Sequence, residues 1–166
     1  MSDGGRNPDT ELTHFDERGG ARMVDVSGKE PTHREAVARA IVKMKSQTLE
    51  MIKSGGVKKG DVLAVAQVAG VMAAKKASEL IPMCHPIGIS GVNINFSLDE
   101  EESNIEIEAA VKTMDRTGVE MEALVASSIA ALTIYDMCKS VDRGMTIAEV
   151  QLVRKSGGKS GEFVRE

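Results

Sequence analysis

The chain has 166 residues, a net charge of −4, and 42% hydrophobic against 28% charged residues, a balance that fits one globular domain. Three Phe, one Tyr and no Trp leave few platforms on which bases could stack, and with the acidic net charge this argues against a nucleic-acid-binding module. No apolar run approaches the length of a membrane span, no signal-peptide stretch opens the chain, and Cys84 and Cys138 are far apart and match no CxxC or zinc spacing, so a cytoplasmic protein with reduced thiols is expected ahead of a disulfide.

Residues 1–22 are polar, carry glycine and show no periodicity, which predicts a flexible N-terminal arm ahead of a single domain over 23–166. Met23-Val24-Asp25-Val26-Ser27 alternates over a short span and is expected to form an edge strand, after which Gly28 to Pro31 turns the chain. Thr32-His33-Arg34-Glu35 matches a capping box, in which a Thr oxygen and a Glu three residues on satisfy each other's free amides. Behind it Val37, Ala40, Ile41, Met44, Thr48, Met51 and Ile52 recur with helical period as far as Gly55-Gly56, so a helix is expected. Arg34 would stand in its first turn, where the helix dipole disfavours a cation; solvation and a ligand role both stay open for it.

After Lys58-Lys59-Gly60, Asp61 is a candidate N-cap for a second, Ala-rich helix. Gly70 within that helix marks a break or a close helix contact, and Lys75 and Lys76 read by spacing as surface. Pro82-Met83-Cys84-His85-Pro86 follows. Two prolines hold the triplet extended and outside any helix, so it is either a turn with a hydrogen-bonded histidine or a rigid presentation of ligand groups. Val92–Leu98 and Ile105–Val111 alternate with period two around the acidic turn DEEESN, which predicts a β-hairpin.

A long helix should follow, opened by a second capping box at Thr117-Gly118-Val119-Glu120 and uninterrupted by Pro or Gly until Gly144. One row along it reads Glu122, Val125, Ile129, Leu132, Asp136, Lys139, so charges appear on the face expected to bury hydrocarbon. Asp136 and Lys139 are neighbours at i and i+3, crowded by Ile134, Tyr135, Met137 and Cys138. They are either a surface ion pair or a partly buried proton-transfer pair. Glu120 and Glu122, two apart, should point to different sides of the helix and not share a site. Glu122 and Asp136 are fourteen residues apart, about 21 Å of helix, so one small substrate could meet both only if a second copy supplies one of them.

Met145–Arg154 reads as a last strand, leading into KSGGKSG, whose glycines, serines and Lys155 and Lys159 suit an oxyanion loop without the spacing of a P-loop. The order β-α-α-β-β-α-β predicts an α+β domain with a ferredoxin-like antiparallel sheet and helices packed on one face.

PMCHP, TGVEMEAL and IYDMCK, with KKGD before and KSGGKSG after, resemble the molybdenum cofactor biosynthesis protein C family, the cyclic pyranopterin monophosphate synthases, over Leu12 to Val164. The resemblance implies a lyase of molybdopterin synthesis that converts 3′,8-cyclo-7,8-dihydroguanosine triphosphate to cyclic pyranopterin monophosphate and pyrophosphate. It implies Asp136 and Lys139 as the catalytic pair. It also implies Met83, Cys84, His85, Met121 and Glu122 as substrate-site residues, with Glu120, Lys59, Lys75, Lys155 and Arg34 as further contacts to phosphate or base. It implies a homo-hexamer, a trimer of dimers, with active sites at subunit interfaces. No carboxylate cluster marks a metal site, so no resident cofactor is expected, and Mg²⁺ would enter only with the phosphates. Two other classes stay open: a nucleotide-sensing module without turnover, and a structural subunit in which Asp136 and Lys139 are a solvated ion pair.

Overall fold

The computed structural model describes His14 and residues 18–166. Its elements are β1 (Thr32–Lys43), α1 (Ser46–Lys53), α2 (Val62–Ala74), α3 (Ala77–Leu80), β2 (Ile89–Asp99), β3 (Asn104–Asp115), α4 (Glu120–Cys138), β4 (Thr146–Ser156) and β5 (Phe163–Val164). They form one five-stranded sheet in the order β2-β3-β1-β4-β5, with all neighbours antiparallel. This is the expected ferredoxin-like α+β arrangement, extended by the short β5. The expected arm lies largely outside the described residues.

The topology is right, but its first strand is not where expected. Residues 23–27 form no strand, and Thr32–Lys43, expected as helix, is the central strand β1. Ala36, Ala38, Ala40 and Val42 are all buried, a period of two that the longer helical pattern masks. β1 is bonded on both sides, to β3 through Ala36↔Val111, Ala38↔Ala109 and Ala40↔Ile107, and to β4 on the other edge. Two flanking strands outweigh the local capping-box match at Thr32–Glu35, which does not form; the helix survives only as α1.

The inner face of β1 is alanine because α4 lies on it. The core side of α4 is Ala123, Ala126, Ala130 and Ile134, all fully buried, so small side chains meet small side chains and the helix comes close. Helix α2 packs along α4 by the same logic. A Cβ on Gly70 would run into Ile94 Cδ1 and approach the Ala126 carbonyl to 3.0 Å, so Gly70 is the close contact and not a break. Asp61 caps α2 as expected, accepting from the Ala64 amide at 3.0 Å. The hairpin forms with β2 and β3 longer than expected. The outer face of the sheet carries ion pairs, Glu35 with Lys112 and Arg154 among them.

Helix α4 has the length and mean hydropathy, 1.3 over its apolar window, of a membrane span, which sequence inspection alone passed over; 56% of that window is buried inside the fold, as in a core helix. Its N-terminus is not the expected capping box. The helix starts at Glu120, no side chain caps it, and the Glu120 carboxylate is drawn instead to Lys155. The row through Glu122 and Asp136 is not the core stripe but its flank. It descends from buried Glu122 and Val125 through half-buried Ile129 to Leu132, which is 52% exposed, and then to solvent.

Candidate active site

Most of the side chains expected at the site lie near one end or the other of α4. At the C-terminal end Lys139, the C-cap, donates to Asp136 Oδ1 at 2.6 Å. Lys59, from the turn between α1 and α2, donates to the Asp136 backbone carbonyl at 2.8 Å and stands 3.8 Å from Asp136 Oδ2. One carboxylate is thus flanked by two ammonium groups. All three side chains are exposed, which corrects the expected partial burial of the Asp136–Lys139 pair. The core face of α4 has rotated past this row, and Ile134, Met137 and Cys138 point away from the pair into the protein. The electrostatics follow. The hydrogen bond from Lys139, then its charge and that of Lys59, holds the Asp136 carboxyl below the usual carboxylate range. The same bond and charge raise the Lys139 ammonium above the usual lysine value. Lys139 therefore rests as a protonated acid held in place by Asp136.

At the N-terminal end lies a cavity of about 370 Å³ walled by Met83, Cys84 and His85 on one side and Glu120, Met121 and Glu122 on the other. The triplet is not extended throughout as expected: Pro82 and Met83 lie in a turn, and only Cys84 and His85 continue beyond it without regular structure. The Cys84 amide closes a turn on the Ile81 carbonyl at 3.0 Å, and His85 Nε2 lies 2.7 Å from the Val24 carbonyl. A carbonyl only accepts, so Nε2 carries the hydrogen of this bond.

Glu120 and Glu122 line this one cavity, contrary to the expectation that two residues two apart must part. The first turn of α4 opens into the cavity end-on, so both sides of the helix reach it. Glu122 is 4% exposed; burial pushes its carboxyl up, and the charge of Glu120 adds to this. Burial, then Glu122, likewise raises the Cys84 thiol. Glu120 pairs with Lys155 of β4 at 3.0 Å, so Lys155 touches a lining residue without lining the cavity itself; Ser160 Oγ accepts from the same ammonium at 3.4 Å.

Arg34 is neither in a helix nor simply solvated. Nε donates to the Asp115 carbonyl at 3.0 Å and Nη2 to the Arg116 carbonyl at 3.1 Å, so it clamps the exit of β3. The KSGG turn closes over it: Gly157 has φ +93°, a left-handed conformation, and a Cβ there would strike the His33 carbonyl. A second cavity, about 530 Å³, opens beside Arg34, Lys159 and Ser160. Lys75, the C-cap of α2, is exposed and lines neither cavity. Among the described residues no group of three His, Cys, Asp or Glu side chains is placed to hold a metal ion.

Two participants escaped sequence reasoning. Val24 and Val26, read as an edge strand, form no strand and line the first cavity instead, and their period of two does not say what they lie on. Asp142, 2% exposed, accepts from the Lys45 amide at 2.9 Å, Thr48 Oγ1 at 3.2 Å and the Gly144 amide at 3.1 Å. It ties the turn that follows Lys139 to the start of α1. Nothing in its sequence neighbourhood signals this, since every partner but Gly144 is remote.

The MoaC family model matches residues 23–158. Among curated proteins, the cyclic pyranopterin monophosphate synthase of Thermoanaerobacter sp. (strain X514) is 65% identical over 93% of this chain and 98% of its own. Those of Heliobacterium modesticaldum and Peptoclostridium acidaminophilum, under the same name, are 60% and 62% identical over 93% and 94% of this chain and 98% of theirs.

Proposed function

Because the chain belongs to the MoaC family, we propose that it is a cyclic pyranopterin monophosphate synthase, a lyase that converts 3′,8-cyclo-7,8-dihydroguanosine triphosphate to cyclic pyranopterin monophosphate and pyrophosphate. Identity of 60–65% over more than nine-tenths of the chain carries the reaction. The arrangement of Lys59, Asp136 and Lys139 supports the division of labour within it. Rearranging the guanine-derived ring to a pterin needs protons moved on and off nitrogen and carbon. Lys139, protonated at rest and hydrogen-bonded to Asp136, is the donor for the first such transfer, and Asp136 sets its direction. Closing the cyclic phosphate forms one P–O bond from a sugar hydroxyl to the α-phosphorus and breaks the P–O bond to the β-phosphate. Pyrophosphate leaves with added charge that Lys59 and Lys155 are suited to neutralise.

The substrate site combines Met83, Cys84, His85, Glu120, Met121 and Glu122 with Lys155, and Arg34 acts from behind as a clamp. Lys75 is assigned to the outer rim. No resident cofactor enters this reading; Mg²⁺ accompanies only the phosphates. Fourteen residues of α4 separate Glu122 from Asp136, about 21 Å, so the catalytic pair of one chain serves the cavity of another. Exposed Val65, Val68 and Met72 on α2 and Leu132 on α4 are the apolar surface on which copies would meet, in the homo-hexamer the reading implies. A nucleotide-sensing module would use the same lysines, but neither an oriented donor nor a leaving group is needed for sensing.

The test is release of pyrophosphate from the cyclic triphosphate by the purified chain, followed together with formation of the pterin product. Turnover is expected for wild type and loss of both products for Lys139→Ala. Binding of the triphosphate with no pyrophosphate released would replace the enzyme by a sensor.

A further inference from the structure

Gly88 ends the PMCHP loop just before β2, and both of its peptide groups are taken by side chains of β3. Its carbonyl accepts from Thr113 Oγ1 at 2.6 Å, and its amide donates to Asp115 Oδ2 at 3.4 Å. The register between β2 and β3 slips here, between Ile89 and Gly91, so the ladder alone does not set where the loop enters the sheet. Thr113 is fully buried, and its hydroxyl is cut off from competing water. Three residues upstream of Gly88 is His85. Downstream of Asp115 the chain passes through Arg116 to α4, whose first turn carries Glu120 and Glu122. Arg34 holds the carbonyls of Asp115 and Arg116 from the other side. The exit of β3 is therefore a place where the two walls of the cavity are fastened to each other by hydrogen bonds.

We propose that Thr113 is a positioning residue for the reaction: through Gly88 its hydroxyl fixes the distance between His85 and the carboxyls of Glu120 and Glu122. The proposal rests on reading this cavity as the substrate site. Packing alone does not explain the residue, because Val would fill the same volume; only the hydroxyl holds the Gly88 carbonyl. A wall displaced by about 1 Å is enough to cost a reaction about a hundredfold, which makes one tether consequential.

The experiment compares Thr113→Val, Thr113→Ser and Asp115→Ala in the full chain, measuring kcat and KM for pyrophosphate release, thermal unfolding, and the NMR signals of the His85 imidazole. Thr113→Val is expected to lower kcat/KM about tenfold to a hundredfold and to move the His85 signals. Thr113→Ser, which keeps the hydroxyl, should restore both, and Asp115→Ala, which removes the longer bond, should fall between. Wild-type kcat/KM in Thr113→Val overturns the proposal. So does a Thr113→Ser variant no better than Thr113→Val, since the methyl and not the hydroxyl would then matter. If Thr113→Val does not fold, the half-exposed Asp115 decides: unchanged kinetics and unchanged His85 signals in Asp115→Ala overturn the tether. A wild-type chain that releases no pyrophosphate would sink the enzyme reading instead, and the His85 signals would still report on the tether.

Discussion

Lys139 and Glu122 show how differently the two ends of one helix treat a charge. Lys139 is solvated, and the leading influence on it is the hydrogen bond and charge of Asp136, which favour the ammonium. Removing that carboxylate in Asp136→Asn should lower the lysine's pKa and move the alkaline limb of the kcat profile to lower pH; an unmoved limb would mean that another group supplies the proton. Lys139→Ala should reduce turnover by about 10²–10⁴-fold, the range of a lost general acid, with folding intact because the side chain packs against nothing in the core. Glu122 is the reverse case, a buried carboxyl whose protonated form is favoured. Its folded pKa lies above the unfolded one, so the folded chain binds the extra proton between the two values. Stability must fall as pH rises through that window and stay lower above it. Glu122→Gln should therefore raise the unfolding midpoint at alkaline pH and flatten this part of the pH dependence, even as it impairs the site.

Elements were legible in the sequence wherever pattern and tertiary role agreed. The hairpin β2–β3 alternates cleanly because one face is buried and one solvated, and Asp61 is a cap because its partner is three residues away. Thr32–Lys43 was not legible as a strand. It is central, Ala-rich and flanked on both sides, and its helix-like spacing is coincidence that only its neighbours could overrule. PMCHP and IYDMCK stood out as site segments because prolines and an i,i+3 charge pair are local signals. The exposure of Asp136 was not legible, since it depends on how far α4 is rotated over β1. Two substitutions test the packing directly. Gly70→Ala should cost about 1–3 kcal/mol, as α2 must be pushed off Ile94 and the Ala126 carbonyl. Asp142→Ala should cost about 2–3 kcal/mol by stranding the Lys45 and Gly144 amides, read from the urea midpoint. The bond from the Lys45 amide leads in holding the Asp142 carboxyl below its usual range. Its share of stability is thus present above the unfolded pKa and disappears as pH falls through the folded one.

For the whole molecule, the decisive fact is that the Asp136–Lys139 pair and the carboxyl-lined cavity are at opposite ends of one helix. If two chains share each site, Lys139→Ala and Glu122→Gln proteins, each inactive alone, should regain activity when unfolded together and refolded as a mixture. Random pairing in a two-fold dimer puts both defects into one of a mixed dimer's two sites and leaves the other whole, so about a quarter of wild-type activity is expected. No recovery would mean that each chain builds its site alone.

The straightness of α4 also sets a condition on concentration. If the two ends of α4, about 21 Å apart, serve different sites as proposed, an isolated copy is a folded protein with two unfinished half-sites. Catalysis then obeys mass action between copies: specific activity should be flat while association is complete and fall away on dilution, and substrate, which touches both halves, should delay that fall. Measured at nanomolar protein with and without substrate, the enzyme would report its own assembly.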